Sequence, residues 1–203
     1  MRKRDYYLQF GGIVVFLLHH REEKFFLKEK FVMSEGKIIK YYREKYRMTQ
    51  EQLGKGICSV THISKIERLQ TEYASEIVIL LSKRLGINME QEVLRLKNIK
   101  KRLEHWHEVI IMQLFEEMDL ISNELEQEEF ILISNYINLY KLLRLRYLLM
   151  KNLLGESKSF IDEIQKIKHK LTPYEMNLFR HILGIYYLAN HEHLKAIQTL
   201  KAI

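Results

Sequence analysis

TQEQLGKGICSVTHISKIE, residues Thr49–Glu67, predicts two short helices joined by a tight turn. Thr49 and Ser59 stand where a side-chain oxygen caps a helix N-terminus. Gln52, three residues after Thr49, completes a Thr-x-x-Gln capping box. Two glycines between the segments permit close helix packing and a sharp exit from the first helix. We therefore interpret the second segment as an element that the first one positions.

Apolar residues at helical spacing predict further helices on both sides of this pair. One runs from Glu35 to Tyr46. Another runs from Ala74 to Leu85 and ends at Gly86, a residue type typical of the position after a helix. Asn88 then caps a fifth helix. The side chains expected to face the interior are Ile38, Ile39, Tyr42, Tyr46, Leu53, Ile57, Val60 or Ile63, Ile66, Ile77, Leu80, Leu81 and Leu85.

The composition favours an all-α chain. Its 203 residues include one proline and eight glycines, too few for the many turns of an all-β fold. Hydrophobic residues make up 47% and charged residues 29%, as in a packed globular protein. After Met89 we expect helices at 89–104, 105–117, 119–127, 129–150, 157–170, 174–190 and 192–202.

The breaks between these later helices suggest a repeat. They fall near Glu117, Gly155 and Asn190, which are 38 and 35 residues apart. This spacing is close to the tetratricopeptide length of about 34 residues and predicts stacked helical hairpins. A plain helical bundle is the alternative, because the Trp-x-x-Leu-Gly signature is absent.

Residues 1–33 begin with basic residues, followed by a mostly apolar stretch at Leu8–Leu18. At about 11 residues this stretch is too short to span a bilayer, and no small-residue cleavage site follows it. We expect a poorly ordered extension, or residues upstream of a natural start at Met33. A membrane anchor is the alternative, but no membrane partner is expected.

Charge is unevenly distributed along the chain. The formal net charge is +7, residues 34–70 carry a net +4, and residues 116–129 contain seven acids without a Lys or Arg. A basic segment suits a polyanionic partner.

The single cysteine, Cys58, rules out an intramolecular disulfide, so a cytoplasmic location is expected. We interpret Cys58 as a small residue buried in the turn, with a redox sensor as the alternative.

The second helix of the pair carries small polar and basic residues where a DNA-reading helix needs them. A helix fits the major groove, and its N-terminal residues approach the base edges. The N-terminus of the preceding helix can offer donors to a phosphate. The candidate DNA-binding residues are Gln50 in the first helix and Ser59, Thr61, His62 and Lys65 in the second. The alternative is that these are ordinary solvated residues.

Several segments resemble the Cro/Xre-type helix-turn-helix family of phage repressors; they are Arg43, Met48–Leu53, Ile63–Glu67 and Leu85–Ile87. The resemblance implies a five-helix phage-repressor-like domain over residues 34–88. It implies double-stranded DNA as a partner. Because a single helix-turn-helix contacts only a few base pairs, a second copy of the chain is also expected. The resemblance also implies a structural ion pair between Arg43 and Glu67. The match departs from the family at Arg68–Gln70, where the family commonly has an Asn-Gly turn.

The Gly-Ile-Cys-Ser turn is one residue shorter than usual. In this it is similar to the PlcR/Rgg-like branch, which joins the domain to tetratricopeptide-like repeats that bind short signalling peptides. The resemblance then implies an N-terminal extension at 1–33, the DNA-binding domain at 34–88, a linker helix at 89–104 and helical repeats at 105–203. The repeat array is expected to be incomplete at its C-terminus.

These observations predict a sequence-specific, homodimeric transcriptional regulator of the quorum-sensing type, controlled by a short peptide. The alternative is a helical-repeat interaction scaffold with a degenerate helix-turn-helix, favoured by the altered turn after Glu67. An enzyme is not expected, because no Gly-rich phosphate loop or nucleophile motif is present. The pairs His105/His107 and His191/His193 lack metal-ligand spacing, so no metal or cofactor is expected.

Overall fold

The structure is a computed structural model that describes residues 7–10, 13–16, 34–70 and 73–203. Strands β1 (Tyr7–Phe10) and β2 (Ile13–Phe16) pair antiparallel, with Tyr7 opposite Phe16. The remainder of the predicted extension at 1–33 lies outside the described residues. Everything described from residue 34 onward is helix or connecting turn, which confirms the predicted all-α class.

The helices range from 5 to 24 residues and follow one another closely. They are α1 (Ser34–Lys45), α2 (Gln50–Gly54), α3 (Val60–Glu67), α4 (Ser75–Leu85), α5 (Met89–Met112), α6 (Phe115–Glu126), α7 (Ile137–Met150), α8 (Leu154–Lys166), α9 (Pro173–Ala189) and α10 (His193–Leu200). Short 3-10 segments lie at Glu129–Ile133 and Lys168–Lys170. The chain divides into a first unit, residues 26–100 with 129–134, and a second unit, residues 1–25, 101–128 and 135–203.

The core of the first unit is built from α1–α4. Helix α1 packs on α3 and α4, and α2 packs on the same two helices. Six side chains there are fully buried: Ile38, Ile39, Leu53, Ile63, Ile66 and Leu81. All six were predicted to face inward, because apolar spacing along a helix determines which stripe is buried.

Three residues predicted to be interior candidates are exposed instead. Val60 is 45% exposed, and Ile63 with Ile66 forms the buried stripe of α3. Leu80 is 47% exposed because Val78, Leu81 and Leu85 form the buried stripe of α4. Tyr46 is 49% exposed because α1 has already ended at Lys45.

Helix α1 approaches the end of α3 very closely at Gly36. A Cβ atom on Gly36 would lie 2.3 Å from the Ile66 carbonyl oxygen and 2.8 Å from Leu69 Cδ2. Leu69 itself adopts a left-handed conformation with φ 59°. The Arg68–Gln70 segment therefore still closes α3 as a left-handed turn, with Leu69 in the conformation that Gly or Asn usually adopts.

Three helical hairpins lie in the described part of the second unit: the C-terminal part of α5 with α6, α7 with α8, and α9 with α10. Each hairpin turns through one left-handed residue, namely Gln113, Asn152 or His191, with φ of 57°, 58° and 60°. Each turn closes by the same pair of backbone bonds, as in Leu114 N–H to Val109 O and Gln113 N–H to Ile110 O. This is the Schellman motif.

The three turn residues are 39 residues apart, so the repeat is longer than the spacing of 35–38 predicted from sequence. Packing follows the same period. Met118, Ser157 and Ala196 occupy equivalent positions in the second helix of each hairpin, and all three are buried. The interpretation as stacked hairpins is therefore supported by geometry that the weak sequence match does not reveal.

Several predicted helix ends were wrong. No break separates residues 104 and 105, because the buried stripe of Leu103, Trp106 and Ile110 continues to the end of α5. The predicted linker helix therefore runs on to Met112. The predicted helix 129–150 is instead a 3-10 segment followed by α7, which begins at Ile137.

All but the last residue of the acidic run at 116–129 lies in the second unit, where several of its acids pair with basic residues. Asp119 accepts a hydrogen bond from Lys151 at 2.8 Å, and Lys151 accordingly lowers the pKa of Asp119. Glu128 pairs with Arg102 at 3.0 Å, and Glu126 pairs with Arg144. These acids therefore hold helices together in the second unit.

Candidate DNA interface

Local capping bonds set the positions of α2 and α3. The Gln52 N–H donates to Thr49 Oγ1 at 3.1 Å, and the Thr49 N–H donates to Gln52 Oε1 at 2.7 Å. This confirms the predicted capping box. The His62 N–H donates to Ser59 Oγ at 3.2 Å, which confirms Ser59 as the cap of α3. Both helix N-termini are thus defined by residues close in sequence.

Helix α3 has one buried face and one exposed face. Ile63 and Ile66 anchor it, both fully buried. The opposite face exposes Ser59, Thr61 and Lys65. An exposed first turn rich in hydroxyl groups, followed by a lysine one turn later, can donate to and accept from base edges and phosphates.

His62 departs from the predicted outward orientation. Its side chain is half-buried, and its Nε2 atom is buried without a hydrogen-bond partner among the described residues. A buried unsatisfied ring nitrogen costs free energy. The accessible part of His62 can still contact a ligand, but less of its side chain is available than that of Thr61.

Arg43, Glu67 and Gln50 form a hydrogen-bonded cluster beside the two helices. Arg43 Nε donates to Glu67 Oε1 at 2.5 Å, and Arg43 Nη2 donates to Glu67 Oε2 at 2.9 Å. The hydrogen bonds to Glu67 raise the pKa of Arg43. Arg43 Nη1 also donates to the Met48 carbonyl at 3.0 Å, which ties α1 to the turn before α2.

Gln50 is part of this cluster, which the sequence did not indicate. Its Nε2 donates to Glu67 Oε2 at 2.9 Å. An amide nitrogen carries two hydrogens, so the second N–H is still available to a phosphate. Glu67 thereby holds the Gln50 side chain in place at the start of α2.

Two further residues, Arg84 beside α2 and Val60 on α3, are placed in ways that the sequence pattern does not indicate. Arg84 Nη1 donates to the Leu53 and Lys55 carbonyls at 2.8 and 2.5 Å, which braces the end of α2 from α4. Val60, exposed at the first position of α3, offers an apolar contact of the kind that suits a thymine methyl group. Neither role has a local sequence signal, because each depends on which face a distant helix covers.

The described residues offer no other obvious chemistry near these helices. Cys58 is half-buried, so the prediction that it is buried in the turn holds only in part. Burial is still the main effect on the Cys58 thiol and raises its pKa, although the charge of Arg84 acts in the opposite direction. A raised thiol pKa favours the interpretation of Cys58 as a packing residue.

The described ranges contain no group of three His, Cys, Asp or Glu residues that could hold a metal ion. None of their helices has the length and apolar character needed to cross a bilayer.

Comparison with known proteins identifies a helix-turn-helix domain within the first unit. Residues 39–91 match the family model described as helix-turn-helix, HTH_3. The chain therefore carries a Cro/Xre-type helix-turn-helix domain at these residues. No curated protein matches the chain.

The chain is also similar to two solved structures. One is Bacillus thuringiensis PlcR, crystallised with the peptide PapR7 and DNA, at 20% identity over 84% of this chain, with a TM-score of 0.35. The chain spans 63% of the length of that PlcR chain. The other is a point mutant of PrgX, at 14% identity over 83% of this chain and 86% of that one, with a TM-score of 0.30.

Proposed function

We propose that this chain is a sequence-specific, double-stranded-DNA-binding transcriptional regulator whose helix α3 enters the major groove. The observation that carries the proposal is the arrangement of α3 within a helix-turn-helix domain. Ile63 and Ile66 anchor the helix, while the capped first turn stays exposed. A helix presented in this way can bring its N-terminal residues to base edges.

Each candidate residue has a distinct role in this proposal. Ser59 and Thr61 contact bases through their hydroxyl groups, and Lys65 donates to guanine or to a phosphate. Gln50, held by Glu67 at 2.9 Å, donates to a phosphate at the N-terminus of α2, where the helix dipole also favours an anion. Because Arg43 binds Glu67 with two hydrogen bonds, its role is to support Gln50 and α3.

A single helix-turn-helix contacts few base pairs, so the active species is proposed to be a homodimer. Its two α3 helices would bind half-sites about one turn of DNA apart, roughly 34 Å. The operator would accordingly be close to palindromic.

Control by a short peptide bound to the helical hairpins is the finer part of the proposal. An open groove of about 1030 Å³ lies beside α8 and α9 in the second unit. Met176 and Leu183 contribute apolar surface to it. Lys166, Lys168 and Arg180 contribute positive charge, which exceeds the one negative charge of Asp162. This mixture suits a short peptide with apolar side chains and a free or acidic carboxylate.

DNA selection tests the first part. Random double-stranded oligonucleotides would be selected on the full-length protein, and the selected site compared with a scrambled one by fluorescence anisotropy at several salt concentrations. We expect a preference of at least about 10³-fold for the selected site. Binding that ignores sequence, or no binding at low salt, would contradict the proposal.

Peptide binding is tested by calorimetry on the full-length protein. The probes are synthetic peptides that correspond to short exported products encoded beside the gene, with scrambled peptides as controls. We expect one to bind and Arg180→Glu to weaken it. If none binds while DNA binding is sequence-specific, peptide control is contradicted and the DNA-binding proposal remains.

The interaction scaffold with a degenerate helix-turn-helix predicts a different result. Its support was the unusual turn after Glu67, yet that turn closes α3 with a Gln70 N–H to Lys65 O bond of 2.9 Å. An intact turn favours the DNA-reading function. Capture of a partner protein together with a lack of any DNA affinity would favour the scaffold.

A further inference from the structure

Helix α4 carries four exposed residues on one face that the DNA-reading geometry does not use. Ile79 is 64% exposed and Leu80 is 47% exposed. Glu76 and Lys83 flank them and are also exposed. At 100° per residue these four positions lie within about 100° of one another around the helix axis. Adjacent apolar residues on a solvent-facing stripe indicate a contact surface.

These four residues have a self-complementary order: an acid, two apolar residues and a base. The pattern Glu-x-x-Ile-Leu-x-x-Lys becomes complementary to itself when a second copy of the helix runs antiparallel. The midpoint lies between Ile79 and Leu80. Glu76 of one copy would then face Lys83 of the other, twice over, and Ile79 would face Leu80. A two-fold axis requires this kind of self-complementary surface.

The helix dipole accounts for only part of this pattern. A glutamate near the start and a lysine near the end of a helix would suit the dipole alone. The dipole gives no reason for two large apolar side chains exposed between them. No ion pair joins Glu76 or Lys83 to another residue in the described ranges. An acidic or a basic partner would complement only one end of this face, whereas a second copy complements both.

We propose that the exposed face of α4, formed by Glu76, Ile79, Leu80 and Lys83, is a two-fold self-association surface of this chain. The surface supplies the dimer contact that the DNA reader needs. Its biological role therefore rests on the proposed function, although self-association itself is measurable without DNA. A single helix face buries less area than a standard stable interface, so the free protein forms a micromolar dimer that two DNA half-sites strengthen.

Charge reversal tests the surface directly. Glu76→Lys gives a chain with two positive residues on the face, and Lys83→Glu gives one with two negative residues. Each variant repels its own copies, but the two variants complement each other. Sedimentation equilibrium of the full-length proteins from about 1 to 500 µM would measure each variant alone and the equimolar mixture.

We expect each variant alone to dimerise about tenfold or more weakly than the wild type, and the mixture to recover wild-type association. Lys40→Glu on α1 and Glu90→Lys on α5 are the matched controls. They make the same charge changes at exposed positions off this face, and both should associate like the wild type. Thermal melting of each variant verifies that the fold is retained.

A wild type that remains monomeric throughout this range overturns the proposal. So does unchanged association of both single variants, or a mixture that fails to recover. A dimer with this charge pattern but without sequence-specific DNA binding would overturn the proposed function and leave the α4 surface standing. Sequence-specific DNA binding by a protein whose association does not depend on α4 would overturn the α4 surface and leave the proposed function standing.

Discussion

Arg43 Nε lies 2.5 Å from Glu67 Oε1, and this pair joins the first helix of the helix-turn-helix domain to the end of the third. The Arg43 and Glu67 side chains are 12% and 3% exposed. Removing one partner of such a buried pair leaves an uncompensated charge. We therefore expect Arg43→Ala to lower the unfolding free energy of the first unit by about 3 kcal/mol.

Hydrogen exchange of the α1–α4 amides in the full-length protein measures this effect for the first unit alone. The control is Lys40→Ala, which removes one exposed positive charge from the same helix and should leave the protection unchanged. Equal protection and equal melting temperatures for Arg43→Ala and the wild type would refute the structural role.

Lys65→Ala should weaken DNA binding without destabilising the fold. Lys65 is exposed on α3, and removing one phosphate contact reduces the slope of log K against log salt by about 1. Anisotropy titrations on the selected operator measure both quantities. Lys40→Ala again serves as the control, because it changes the net charge equally. Identical affinities for both variants would place Lys65 outside the interface.

Gly184→Ala should destabilise the last hairpin. A Cβ there would lie 2.6 Å from Leu200 Cδ2 and 2.7 Å from Leu200 Cγ. Overpacking of this kind costs about 1–3 kcal/mol. Gly155→Ala in α8 is the matched control, because a Cβ at that position meets nothing within 4 Å. Thermal unfolding followed by circular dichroism should show a lower stability for Gly184→Ala than for Gly155→Ala. Equal stabilities would contradict the close packing of α9 and α10.

Glycine at the hairpin turns should stabilise the second unit. Gln113 and His191 adopt left-handed conformations with φ of 57° and 60°, which cost a non-glycine residue about 1–2 kcal/mol. Gln113→Gly and His191→Gly should therefore each raise the unfolding free energy, by about 0.5–1 kcal/mol after the added chain entropy of glycine. Asn152→Gly should raise the unfolding free energy by less, because Asn tolerates the left-handed conformation. Denaturant titrations measure the differences, and an equal gain at all three positions would show that backbone strain is not the cause.

The second unit should lose stability as the pH falls from 7 to 5. Burial, together with the positive charge of Arg146, lowers the pKa of His107 to about 3 and that of His181 to about 4. Arg146 Nη1 lies 3.3 Å from His107 Nε2, a contact that suits the neutral ring. Both folded-state pKa values are below the ordinary value of 6.5, so the unfolded chain binds more protons in this range. This contribution to stability is complete above pH 6.5 and is lost below it, by about 2 kcal/mol per histidine, or about 4 kcal/mol for the two, between pH 7 and 5.

Trp106, the one tryptophan of the sequence, is buried in the second unit, so its fluorescence reports the unfolding of that unit. His107→Gln can still accept from Arg146 and should reduce the dependence of stability on pH. His169→Gln, at an exposed position, should preserve it. The same pH dependence in all three proteins would exclude His107 as a source of it.

Much of the helix-turn-helix follows from local sequence. Thr49, Gln52 and Ser59 form the predicted caps because each bonds a backbone group only three residues away. Leu53 and Ile63 are buried as helical periodicity requires. Interactions of this range involve few alternatives, so residue type and spacing are enough to predict them.

Longer-range features could not be predicted from these patterns. The bond from Gln50 to Glu67 joins residues 17 positions apart, and that from Arg84 to the Leu53 carbonyl spans 31 positions. Gly36 has no sequence signal, because its importance comes from the Ile66 carbonyl that lies against it. The repeat length was misjudged because its turns use Gln113 and His191 where glycine would have marked them.

The amino-acid sequence alone was therefore enough for the helical class, the two caps and the paired helices at Thr49–Glu67, because local hydrogen bonds and apolar spacing determine them. Tertiary packing decided which side chains those helices leave to solvent. It places Ile63 inside and Val60 outside, ties Gln50 to Glu67, and exposes Ile79 and Leu80 on α4. The physical reason is that exposure depends on which distant helix covers a surface, a relation that spacing along a single helix does not contain.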